Sequence, residues 1–171
     1  MTAFSQSKDK PGDPRNQEVV HAAGDPLNGN LATPINASGF TLAYINSLPA
    51  YRKGLTPLRR GLEVGLAHGY WLLGPFAKLG PLRDTEIANL AGLLSTVGLV
   101  IISTLSISLY ASSNPPNPTA TLTTPQPPSE LNTSEGWNDY ASGFLIGGVG
   151  GAALAYFILI NLAVFANLMN R

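Results

Sequence analysis

Small and polar residues dominate the chain up to about residue 50, where stretches such as HAAGDPLNGNLATPINASG carry no sustained helical or strand period. The pattern predicts an irregular polar arm over 1–50. Beyond it, over 51–171, apolar positions gather into three runs. Ala88 to Ala111 gives 24 consecutive uncharged residues, above the roughly 20 that a helix needs to cross about 30 Å of hydrocarbon. Tyr140 to Met169 gives 30 more, enough to tilt or to extend past the hydrocarbon. The first run is weaker. Between Arg60 and Lys78 lie 17 residues, Glu63 and His68 among them, or about 26 Å of helix at about 1.5 Å per residue.

The expected fold is therefore an all-α membrane protein with three transmembrane helices, spanning 61–77, 88–111 and 140–169, behind the irregular N-terminal arm. Gly74-Pro75 and Gly80-Pro81 close the first run in a short link suited to an antiparallel return. The second link, a loop over 112–139, contains SNPPNPTATLTTPQPP, whose prolines withhold backbone donors and favour extended, exposed chain. Arg52, Lys53, Arg59 and Arg60 precede the first span, whereas the first link offers Lys78 and Arg83 beside Asp84 and Glu86. The positive-inside rule then places the N-terminus in the cytoplasm and the C-terminus opposite. The opening residues lack the apolar centre of a signal peptide, in keeping with an N-terminus that stays on the side of synthesis.

Composition adds exclusions. The chain of 171 residues is 44% hydrophobic and 12% charged, and its ten basic and ten acidic residues cancel. No field of one sign is available to attract nucleic acid. The absence of cysteine removes disulfides, thiolate metal sites and thiol nucleophiles.

RRGLEVGLAHGYWLLGPF places an acid and an imidazole inside the weakest span. An ionisable group at membrane depth costs a few kilocalories per mole and faces protein, water or a ligand. Glu63 has Arg59 and Arg60 as helical neighbours, so an ion pair competes with a ligand role. For His68 an interhelical hydrogen bond competes with axial ligation of a metal through a neutral ring nitrogen. The two residues stand about 140° apart around the axis and about 7.5 Å apart along it. They do not suit one shared metal, and no further ligands complete a zinc-type site. A tetrapyrrole Mg²⁺, with its equatorial positions filled, needs a single axial atom, which a carboxylate or an imidazole supplies. Gly61, Gly65 and Gly69 recur every four residues; they allow either approach of a flat macrocycle or close helix packing. Gly143, Gly147, Gly151 and Ala155 form a similar smooth stripe, for which packing within the chain is the favoured reading.

LPAYRKGLTPLRRGLEVGLAHGYWLLGPFAKLGPLRD, with GNLATPINASG before it and SEGWND ahead of the last run, closely resembles subunit L (subunit XI) of cyanobacterial photosystem I, from about Asp25 to the end of the third span. The resemblance implies three transmembrane helices in the thylakoid membrane with a stromal N-terminus and a lumenal C-terminus. It also implies two or more molecules of chlorophyll a, with Glu63 and His68 as axial ligands to Mg, nearby β-carotene, and lipid. Its expected partners are other photosystem I subunits and neighbouring photosystem I monomers, whose association into oligomers it mediates. The proline-rich loop and the ending ANLMNR resemble a cyanobacterial subgroup described as dimers and tetramers, so trimerisation does not carry over automatically. His21 lies in the arm, outside the motif.

A small proton-coupled transporter or channel subunit is the rival reading, with Glu63 relaying protons, but no repeat, second intramembrane charge or matched pair of broken helices supports it. A pigment-free assembly protein is a third. No nucleophile–base pair, phosphate loop or metal triad is present, so no catalysis is expected.

Overall fold

The computed structural model describes residues 19–23 and 31–162, which are mostly helical. The chain divides into two compact units, one of residues 1–53 with 118–128, the other of residues 54–117 with 129–171.

In the first unit, β1 (His21–Ala22) pairs antiparallel with β2 (Leu31–Ala32), His21 opposite Ala32. Helix α1 (Gly39–Ser47) follows, where the sequence pattern predicts irregular chain. Its start is written locally: Thr33 N–H donates to Asn36 Oδ1 at 2.8 Å, Asn36 N–H to Thr33 Oγ1 at 3.2 Å, and Thr41 N–H to the N-cap Ser38 Oγ at 3.1 Å. None of the nine residues of α1 is buried, so no apolar stripe exists for periodicity to detect. Asn46 Nδ2 donates to Leu42 O and to Thr123 O, both at 2.8 Å, which ties α1 to the middle of the proline-rich loop.

The second unit is built on three long helices. Helix α2 (Pro57–Leu79) starts on Thr56, whose hydroxyl accepts from Arg59 N–H, with Pro57 supplying a ready-made first-turn φ. It is longer than the expected 61–77 because Leu58, Arg59 and Arg60 lie inside it. Arg60 is buried at 1% exposure and its Nη2 donates to Leu55 O at 3.0 Å, holding the chain that enters the helix. Pro75 inside α2 removes the helical donor that Trp71 O would otherwise receive, and α2 ends ahead of Gly80-Pro81. Helix α3 (Ala88–Ser112) covers the apolar run Ala88 to Ala111 and closes near Asn114, at φ 52°.

Helix α4 (Ser134–Ile160) begins six residues before the expected start at Tyr140. Charge-free length marks the hydrocarbon, whereas the helix starts where its backbone is capped: Gly136 N–H donates to Thr133 Oγ1 at 3.0 Å, and Glu135 favours the positive end of the helix dipole. A short 3₁₀ turn (Ser129–Asn132) precedes it, so the end of the loop is ordered as well. The expected continuation of this span from 163 to Met169 lies outside the described residues.

The second unit runs up, down and up, with α2 and α4 parallel. A Cβ placed on Gly61, Gly65 or Gly69 would fall closer than 3.0 Å to Tyr140, Phe144 and Gly148 backbone atoms in turn; one on Gly143, Gly147 or Gly151 would strike the backbone at Leu58, Leu62 and Leu66. The two glycine stripes of the sequence thus face each other, each glycine opposite a carbonyl of the other helix. Helix α3 leans on this pair through Gly92 against Ala77 and Val100 against Gly148. Thr96, fully buried there, donates its hydroxyl to Gly92 O at 2.8 Å and so satisfies itself within its own helix.

Among the described residues two helices, α3 and α4, are long and apolar enough to cross a membrane. Helix α2 has the length, 23 residues, or about 34 Å at about 1.5 Å per residue. Its composition falls short because Arg59, Arg60, Glu63, His68 and Lys78 all lie on it.

Candidate functional site

Both predicted ligands belong to α2, and the glycine seam determines where each one stands. Taking about 100° per residue, His68 is roughly 60° from Gly65 and 100° from Gly69, at the border of the buried stripe. Glu63 is roughly 160° from Gly65, on the far side. The helix therefore keeps them apart, as the spacing predicts, and among the described residues no group of three or more His, Cys, Asp or Glu side chains is poised for a metal ion.

His68 is exposed at the surface of the bundle, yet its ring is held. Nδ1 lies 2.8 Å from Val64 O, and because a carbonyl only accepts, Nδ1 carries the proton. In the neutral form of such a ring the lone pair resides on Nε2. Phe144 of α4 meets the imidazole edge-on, with centroids 5.5 Å apart and planes at 60°. Phe144 is itself 6% exposed, so this second support is fixed by the core. The imidazole opens on a shallow, almost wholly apolar depression lined by Ala67, Trp71 and Leu72.

This environment fits an axial ligand. A proton-bearing Nδ1 anchored to a helix carbonyl, leaving Nε2 as donor atom, is the arrangement that orients ligating histidines in metal sites. The apolar surround matches the face of a macrocycle rather than a hydrated ion. Glu63, farther from the seam, is half-buried. Gly61, Gly65 and Gly69, by contrast, are occupied by α4 and take no part in such a site.

Sequence reasoning missed Phe144 and Trp71. Phe144 is 76 residues from His68 and reachable only through the α2–α4 packing. Trp71, at 73% exposure, stands one turn beyond His68 on α2, and the position of a large aromatic three residues after the histidine was the available signal.

The sequence matches the family model described as photosystem I reaction centre subunit XI over residues 18–164. Among its relatives, photosystem I reaction center subunit XI of Trichormus variabilis is 61% identical over 168 residues, covering 98% of each chain. The proteins of that description from Nostoc punctiforme and Mastigocladus laminosus are each 58% identical, the first covering 97% of both chains, the second 97% of this chain and 96% of its own. With a match across nearly its whole length, the chain belongs to the photosystem I reaction centre subunit XI family.

Proposed function

We propose that this chain is a non-catalytic, pigment-binding subunit of a cyanobacterial photosystem I in the thylakoid membrane. In this reading α2, α3 and α4 all span the bilayer, the N-terminus is stromal and the C-terminus lumenal. Arg52 and Lys53 precede α2 in the sequence, Arg59 and Arg60 lie in its first turn, and Tyr110, Trp137 and Tyr140 cluster at the same end of the helices as that turn, with centroids 5.1 and 5.7 Å apart, as an aromatic belt at a membrane surface would. Other photosystem I subunits cover part of the apolar exterior, and neighbouring monomers associate through this subunit into oligomers. β-Carotene and lipid occupy the remaining apolar faces.

The observation that carries the pigment reading is the imidazole of His68, with Nδ1 committed to Val64 O and the ring facing an apolar depression. Bound there, chlorophyll a would absorb red light and pass the excitation to neighbouring pigments. The chain's part would be to hold the pigment's metal through the free ring nitrogen of His68, whose direction Val64 O and Phe144 fix, with Ala67, Trp71 and Leu72 excluding water. Glu63, on another flank of α2, would hold a second pigment through a carboxylate oxygen. A proton relay draws no support from this arrangement, because Glu63 and His68 stand about 140° apart around α2.

The test is the purified complex carrying His68→Leu. Leucine keeps the span apolar, so the subunit remains inserted while chlorophyll per complex falls by one and the low-temperature emission changes. Full chlorophyll content with the subunit present would overturn ligation by His68.

A further inference from the structure

We propose that Trp71 is a positioning residue for the pigment anchored by His68: its indole forms the wall that sets the macrocycle's placement and tunes its absorption, a proposal resting on the ligation reading above. The histidine is constrained on two sides. Val64 O holds Nδ1 at 2.8 Å, and Phe144 lies edge-on at 5.5 Å. What remains beside the ring is the depression shared with Ala67, Trp71 and Leu72. Ala67 offers a methyl group and Leu72 a branched alkyl, so Trp71 contributes the large flat surface and, besides His68, the hydrogen-bond donor of that lining.

The indole is placed by its surroundings. Tyr70 meets it edge-on, with centroids 5.6 Å apart and planes at 87°. Trp71 also borders a second apolar groove, between α2 and α4, lined by Tyr70, Gly74, Ala155 and Ile158. It is therefore the partition between two depressions, yet 73% of it is exposed. An aromatic ring left so bare one turn from a ligand nitrogen has its largest surface available to a π-system held there, an arrangement that adds offset or edge-on aromatic contact to simple burial. Its Nε1–H is suited to a peripheral keto or ester oxygen, a contact that shifts the energy of a conjugated ring.

The experiment compares intact photosystem I complexes carrying Trp71→Leu, Trp71→Phe and His68→Leu, each checked by immunoblot for the subunit. Chlorophyll per complex is measured by extraction, and the red band by low-temperature absorption difference spectra against the parent. Trp71→Leu should retain the subunit and give a one-pigment difference band, or a weakened hold on that pigment during detergent washing. Trp71→Phe, which keeps an aromatic ring but removes the N–H, should give a smaller difference of the same kind. Spectra of both variants that superimpose on the parent, with the subunit present, would overturn the proposal. Should Trp71→Leu fail to assemble, Trp71→Phe decides by the same criterion. Retention of all chlorophyll in His68→Leu would instead sink the ligation reading, whatever the tryptophan variants do.

Discussion

The α2–α4 seam and the outer flank of α3 use different kinds of apolar residue for opposite ends. In the seam, glycines bring two backbones together so closely that no Cβ fits on six of them. On α3, Leu90, Leu94, Ile101, Ile102, Leu105 and Leu109 stand exposed, and only 17% of its most apolar stretch is buried, against 39% for α4. The more apolar surface is thus the less buried one. In water that would be a defect; in hydrocarbon an aliphatic side chain gains little by touching another, and helices associate where close backbone approach gives dispersion contact. Hydropathy marks what faces lipid or a neighbour, and small residues mark what faces the chain itself.

The sharpest way to break this contrast is to put bulk into the seam. Gly147→Leu forces a side chain against Leu62 O and Leu66 N, backbone atoms that cannot turn aside as a rotamer can. Overpacking of a tight core costs about 1–3 kcal/mol and sometimes more, and here the whole of α2 must move. The subunit should be depleted from complexes of every size, monomers included, on immunoblots of native gels. Monomers that keep a normal complement while oligomers vanish would show instead that this stripe contacts another copy.

Next comes the buried cation at the entrance to the seam. Arg60→Gln shortens the side chain and removes the guanidinium that donates to Leu55 O, leaving a buried acceptor short of a partner. A loss of about 1–3 kcal/mol follows from an unmet buried polar group. Thermal release of the subunit from the purified complex should begin at lower temperature, whereas Arg59→Gln, at an exposed position, should leave it unchanged.

A smaller effect belongs to the start of α4. Thr133→Ala removes the hydroxyl that accepts from Gly136 N–H and should cost about 1 kcal/mol. Faster proteolysis within the 112–133 connection, with the spans still protected, is the expected readout. Unchanged cleavage would mean that the packing of Gly136 against Glu130 O, not the cap, determines where α4 begins.

These positions also show what could be read from the chain and what could not. The extent of α3 was legible because its limits coincide with those of its apolar run. The start of α4 was not, because the helix is capped by Thr133 and opens on Ser134, Glu135 and Asp139, polar residues ahead of its apolar run. Helix α1 was hidden for a different reason: a nine-residue helix with no buried face has no period, and its signal lay in Ser38 and Asn36. Glycine spacing could be seen but not its destination, since a four-residue repeat serves a macrocycle and a partner helix equally well until the facing carbonyls of α4 are placed. The angular separation of Glu63 from His68 followed from helix geometry alone. The supports of His68 did not, because Phe144 arrives through tertiary packing.

The smallest predicted change is the one that most sharpens the comparison, since it keeps the residue type and alters only its surroundings. Gly98 of α3 and Gly150 of α4 have nothing within 4 Å of a built Cβ, unlike Gly147, one turn before Gly150. Alanine at a helix-interior glycine reduces the entropy lost on folding and stabilises by roughly 0.5–1 kcal/mol where the space is open. Gly98→Ala and Gly150→Ala should therefore leave subunit content intact and hold or slightly raise the temperature at which the subunit leaves the complex. Gly147→Ala, in the same assay, should lower it. Within the chain itself both positions are open, so a deviation reports on what lies outside it. If Gly150→Ala lowers retention while Gly98→Ala does not, a neighbouring subunit or pigment in the assembled complex approaches α4 at Gly150 closely enough to exclude a methyl group.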